Sequence, residues 1–131
     1  LGVTVGDDCG QVINPLSVEG QVEGSVAMGI GHAFLEDILF GRNGQVMNPS
    51  FLDFKIPTTL ECPSTTLVEV GLPDPIGPYG AKEIGEGLLI TSVPAICNAI
   101  YDAVGVRIRQ LPITPKKILS ALEEKHRRAR R

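Results

Sequence analysis

Apolar residues recur at helical spacing in three stretches of this chain and as short runs with strand character between them. The opening run "LGVTVGDDCG", residues 1–10, reads as a strand. It starts without an initiator methionine, which leaves truncation, processing or a disordered start open and makes a missing upstream part an expectation. After the turn signal Asn14-Pro15, residues 17–36, "SVEGQVEGSVAMGIGHAFLE", have the length of a helix. At about 100° per residue, Val22, Val26, Ile30, Ala33 and Phe34 share one apolar face. Gly20, Gly24 and Gly31 fall within about 40° of one another on a second, smooth stripe. Gln21, Ser25, Met28 and His32 line up beside it, so a polar edge borders a surface that permits close approach. That stripe suits either a polar ligand or a glycine-mediated helix contact, and His32 reads as an ordinary, partly buried histidine.

The middle of the chain is predicted to be strand and loop. "DILF" and "QVMN" flank "GRNG", a hairpin signal, and "TTLVEV" offers another strand ahead of the proline-punctuated "GLPDPIGP". From Gly87, "GLLITSVPAICNAIYDAVG" is helical in pattern, with Pro94 dividing it or marking a restart after Ser92 and Gly105 as its stop. A last helix begins with Thr114 as N-cap and Pro115 at the first position, and turns Ile118, Leu119 and Leu122 inward. These elements predict an α+β fold in which a glycine-rich helix and further helices pack on a small mixed sheet.

"GPYGAKEIGEGLLI", residues 77–90, places Glu86 between Gly85 and Gly87 where loop gives way to an apolar helix. Flanking glycines permit close approach of the chain to another group, so the carboxylate reads as presented. The competing reading is an acidic first helical turn, which the helix dipole favours without any function.

Composition narrows the classes. With 131 residues, 43% hydrophobic and 21% charged, the chain has the makeup of one globular domain. Three cysteines, Cys9, Cys62 and Cys97, form no CxxC pair and leave an odd count, against a disulfide framework or a zinc ribbon. Together with the absence of a signal-peptide pattern this predicts a cytoplasmic setting. No apolar run is expected to approach the roughly 18 residues that span a bilayer, and no membrane partner is expected. The net charge is −3, and five of the twelve basic residues lie in "KHRRARR", residues 125–131. That segment reads as a solvated basic tail on a body of residues 1–124, its cations suited to a helix C-terminus. Without a basic patch or interleaved aromatics, no nucleic-acid partner is expected. GxGxxG, Walker, HExxH and GxSxG patterns are all absent. Two histidines, His32 and His126, are too few for most protein metal sites, so no metal ligand is expected from this chain.

The order "INP", "GQVEG", "GIG", "NPSFLDFKIP", "GPYGAKEIGE", "NAIYDAVG" and "LPITP" resembles the C-terminal part of the molybdenum-binding large subunit of xanthine dehydrogenases and related molybdenum hydroxylases. The resemblance covers nearly the whole chain and implies a portion of the molybdopterin-binding domain of these enzymes. It implies a molybdenum–molybdopterin cofactor, with or without the cytosine dinucleotide, and no protein side chain from this part as metal ligand. Glu86 matches the family's general base in hydroxylation, and Gln21 matches the glutamine that hydrogen-bonds the pterin. Lys82 and Gly85 are implied to shape the loop around the cofactor. Glu83 stands where the family usually has a small residue and reads as a surface charge or one behind the site.

The same resemblance implies that the chain is one part of an enzyme. Three cysteines cannot ligate a four-cysteine cluster. Iron–sulfur clusters and FAD are therefore expected on other domains or subunits, with the remainder of the molybdenum-binding subunit as a partner. Substrate class is left at a purine, N-heterocycle or aldehyde, xanthine-like molecules first. The chain alone is expected to be cofactor-free, inactive and prone to self-association through an apolar, glycine-rich surface. The alternative is a non-catalytic assembly or protein-interaction module with the same fold. Whether the chain is a split subunit or a piece of a longer one is left open.

Overall fold

The computed structural model describes residues 2–130. Leu1 of the opening run and Arg131 of the basic segment lie outside the described residues. Backbone contacts group the chain into two compact units, one of residues up to Gly29 with Thr58–Ser92, the other of Ile30–Pro57 with the residues from Val93 on.

In the first unit, β1 (Gly2–Asp7) pairs in parallel with β2 (Ser64–Glu69), from Gly2 opposite Ser64 to Asp7 opposite Glu69. The sheet among the described residues is two-stranded and parallel, where a mixed one was expected. Alternation along β1 turns Val3, Val5 and Asp7 to the more buried face. α1 (Pro15–Ile30) begins with Pro15 behind Asn14, whose Oδ1 accepts from the Ser17 N–H at 3.1 Å, an N-cap followed by a first-turn proline. Val18 and Val22 of α1 meet Cys9 and Leu88 in the core, with Val5, Val12, Leu67 and Ile84 packed around them. Burial of these branched side chains stabilises the unit by about 1.5 to 3 kcal/mol for each fully buried one.

α1 ends earlier than its pattern predicts. At Gly31–Leu35 the backbone widens into a π-turn, closed by the Glu36 N–H donating to the Gly31 carbonyl at 2.8 Å. His32 lies in this turn and is exposed where a partly buried histidine was expected, and its Nε2 lies 3.6 Å from the Glu36 carboxylate. The glycine stripe is revised too. Nothing lies within 4 Å of where a Cβ on Gly20 or Gly24 would be, whereas one on Gly29 would run into Ser92. Gly29 is a contact glycine against Ser92, and Gly31 of the stripe is closely approached by Glu36 and Pro57.

α2 (Glu86–Val104) is continuous through Pro94. Proline removes the N–H that would reach the Ile90 carbonyl, and Ile90 is an exposed residue. Because the helix is not divided, it corrects the expectation about apolar length. Among the described residues it is the one helix long and apolar enough, by length and composition alone, to cross a membrane. Gly105, at φ +66°, stops it as expected.

In the second unit the predicted hairpin shrinks to a turn with a single antiparallel bridge, Phe40 opposite Val46. Gly44 at φ +79° supplies the turn, and among the described residues no strand forms between Leu35 and Ser64. α3 (Pro115–Ala129) carries the expected cap, Thr114 accepting from the Lys117 N–H at 3.3 Å. Ile118 and Leu122 are half-buried, while Leu119 is exposed, against expectation. It lies just off the stripe that Ile118 and Leu122 share at i, i+4. Residues 125–129 of the basic segment continue α3, and Lys125 Nζ donates to the Val104 carbonyl at 3.0 Å, closing the C-terminus of α2.

Candidate functional site

The loop 77–85 is zipped onto the segment that follows β1. Gln11 N–H donates to the Gly80 carbonyl and Lys82 N–H to the Cys9 carbonyl, each at 2.8 Å, and Gly10 bridges Ala81. Gly10 sits at φ +67°, and a side chain there would strike the Gly80 carbonyl, so only glycine lets the two segments meet. Asp74 shapes the approach to the loop by accepting from the N–H groups of Ile76 at 2.8 Å and Gly77 at 2.6 Å. These two bonds hold its carboxyl below the usual range, the one from Gly77 contributing most.

Between this loop and α1 lies a recess of about 190 Å³. Gln11, Asn14, Ser17, Gln21 and Lys82 supply its polar side chains, and Cys9, Val12, Val18 and Ile84 its apolar wall. Gln21 and Lys82, singled out separately in the sequence, thus line one cavity. Lys82 Nζ bonds Asp8 Oδ2 at 2.7 Å, so its ammonium is committed to the end of β1. Burial pushes the Cys9 thiol up, with the Asp7 charge adding to it, which leaves Cys9 a packing residue.

One turn along α1 from Gln21, buried Ser25 donates from Oγ to the Gly85 carbonyl at 3.4 Å. Residues four apart share a helix face, so one face of α1 touches both the recess and the turn that carries Glu86. Gly85 and Glu86 themselves are not among the residues that line the recess. Glu86 is exposed at the first position of α2. The carboxylate bound to the helix start belongs to Glu83, whose Oε1 accepts from the Gly85 N–H in a short bond and from the Gly87 N–H at 3.5 Å. Sequence reasoning missed this role for Glu83, and also those of Asp8 and Asp74. A carboxylate a few residues ahead of an apolar helical run was the available signal.

Residues 1–63 match the molybdopterin cofactor-binding domain family. The xanthine dehydrogenase molybdenum-binding subunit of Escherichia coli O157:H7 is 42% identical over 112 residues, 85% of this chain and 15% of that protein. The chain belongs to the molybdopterin-binding family of the molybdenum hydroxylases. The 6-hydroxypseudooxynicotine dehydrogenase complex subunit gamma of Paenarthrobacter nicotinovorans is 38% identical over 123 residues, 92% of this chain and 16% of that subunit. Quinoline 2-oxidoreductase from Pseudomonas putida 86 superposes with a TM-score of 0.84 at 35% identity, over 92% of this chain and 16% of that one. The chain therefore spans about a sixth of the length of such relatives.

The recess fits a molybdopterin in its chemistry. Amides and a hydroxyl that both donate and accept, on Gln11, Asn14, Gln21 and Ser17, match the mixed donors and acceptors of a pterin edge. Three of these have work within the protein: Asn14 caps α1, Gln11 Nε2 donates to the Val12 carbonyl at 3.3 Å, and Ser17 is held in that cap through its N–H.

Proposed function

We propose that this chain is the general-base-bearing part of a molybdenum hydroxylase that places water-derived oxygen on an electron-poor carbon of a purine, N-heterocycle or aldehyde. Molybdenum in its pterin dithiolene supplies the two-electron redox chemistry when bound. Gln21 holds the pterin from α1, and Ser25 ties the turn at Gly85 to the same helix face. Lys82 acts through its ion pair with Asp8, which fastens the cofactor-facing loop. Glu86 takes up the proton released in hydroxylation on its carboxylate. The observation that carries this reading is the division of labour at the start of α2: Glu83 binds the helix amides, and exposed Glu86 keeps its carboxylate available. Xanthine-like purines are the first substrates to test, since a xanthine dehydrogenase subunit is among the similar proteins.

The remainder of the molybdenum-binding subunit, together with iron–sulfur and flavin subunits in a cytoplasmic complex, completes this enzyme. Exposed apolar side chains such as Leu16, Leu60, Leu72 and Ile76 support such partners and predict self-association of the lone chain. Light scattering giving a clean monomer at tens of micromolar, roughly, overturns that last point.

The test is Glu86→Gln in the assembled enzyme, read as substrate reduction of the molybdenum centre in anaerobic stopped flow, normalised to active metal. Glutamine keeps the shape but cannot take the proton, so reduction falls about 10² to 10⁴ fold with molybdenum content retained. Near-normal reduction removes Glu86 as the base and leaves the assembly-module role.

A further inference from the structure

The flanking glycines of Glu86 have a second use besides close approach. A Cβ on Gly87 would lie 2.8 Å from Glu83 Oε2, and one on Gly85 would lie 3.2 Å from Glu83 Oε1. A side chain at Gly87 would push the Glu83 carboxylate off its present place and one at Gly85 would crowd it, so the two bare positions suit a carboxylate that stands over the amides on either side of Glu86. A carboxylate that accepts from amides at i+2 and i+4 fixes the backbone between them, because it satisfies two of the four N–H groups left over at a helix start. The Gly85 carbonyl is held from the other side by Ser25. The peptide units on both sides of Glu86 are thus anchored by groups outside it.

We propose that Glu83 is a positioning residue for Glu86, its carboxylate clamping the Gly85 and Gly87 amides so that the first residue of α2 has one backbone setting. This rests on the reading of Glu86 as general base. Displacement of a reacting group by as little as an ångström can cost about 10² fold in rate, so a loose turn at this point lowers turnover while leaving the cofactor in place.

The experiment uses the assembled holoenzyme with Glu83→Ala and Glu83→Gln, and reads amide hydrogen exchange over residues 85–88 beside anaerobic reduction per active molybdenum. Alanine removes both acceptors, so exchange rises about threefold to thirtyfold, the size of a lost helix cap. Reduction falls about tenfold to a hundredfold, with metal content unchanged. Glutamine keeps one acceptor oxygen and restores most of both. Unchanged exchange in Glu83→Ala overturns the clamp. Faster exchange with normal reduction reduces Glu83 to a structural cap and overturns the positioning role. If Glu86→Gln reduces normally as well, the general-base reading has failed, and the exchange data still report on the clamp by themselves.

Discussion

Asp8 and Lys82 close an ion pair across the sequence, with Lys82 Nζ 2.7 Å from Asp8 Oδ2, and join the end of β1 to the loop that precedes α2. The hydrogen bond from Lys82 is the main reason the Asp8 carboxyl is held below its ordinary value, with a smaller contribution from the Gly10 N–H. A carboxyl depressed in the folded state adds stability that is present above its unfolded value and lost as pH falls through its folded one. Asp8→Asn therefore lowers the unfolding midpoint at about pH 6, and the difference from wild type closes by about pH 2. Urea unfolding at the two pH values checks this. A gap that persists undiminished in acid removes the pair as its source.

Gln21 lines the recess with Lys82, and among the described residues its side chain caps no helix. Gln21→Ala in the assembled enzyme should leave folding intact and weaken cofactor retention by about threefold to tenfold, the scale of one net hydrogen bond. Metal analysis before and after gel filtration reads the loss. Full molybdenum occupancy through that step removes the contact.

Local signals were legible and long-range ones were not. Thr114-Pro115 and Asn14-Pro15 announce α3 and α1 because capping involves neighbours within three residues. The end of α1 was not legible, since the π-turn at Gly31 depends on which carbonyl the Glu36 amide reaches. Parallel pairing of β1 with β2 joins segments sixty-two residues apart in register, and no turn motif marks it. At the site, Gln21 and Glu86 came from a resemblance, and hydrophobic pattern could say only that Glu86 begins a helix. Which glutamate binds the helix amides is a matter of geometry: Glu83, two residues before Gly85, reaches forward over the Gly85 and Gly87 amides.

Asp7 continues the inward alternation of Val3 and Val5, so an acidic side chain occupies an apolar position. Its Oδ2 is buried without a hydrogen-bond partner among the described residues. Burial first, then the nearby Glu83 charge, push its carboxyl above the ordinary value. A carboxyl raised in the folded state binds more protons there, so stability falls as pH rises from the unfolded value through the folded one. Asp7→Asn removes that fall. The variant should match wild type in acid and exceed it at about pH 7, as read by thermal unfolding across the range. A variant less stable than wild type at neutral pH shows that the charge has a partner role.

Gly29 and Gly24 lie on the same helix and predict opposite outcomes. A methyl group at position 29 meets the Ser92 Cβ, with the Ser92 Cα at 3.6 Å, so α1 and α2 must move apart to admit it. Overpacking of this kind costs typically about 1 to 3 kcal/mol, more than the gain from alanine's better helix propensity, about 1 kcal/mol. Gly29→Ala should therefore destabilise the chain. At position 24 nothing lies within 4 Å of the added methyl, so propensity decides and Gly24→Ala should stabilise by about 0.5 to 1 kcal/mol. Gly24 lines an open groove of about 440 Å³ with Gly20, Ala27, Cys62 and Pro63. If the rest of the molybdenum-binding subunit lies along this groove, Gly24→Ala improves the lone chain and lowers the yield of assembled enzyme. Urea unfolding of the chain and co-purification of the complex separate the two effects. Stabilisation by Gly29→Ala would show that Ser92 yields without cost, and assembly indifferent to Gly24→Ala would leave the groove open in the enzyme.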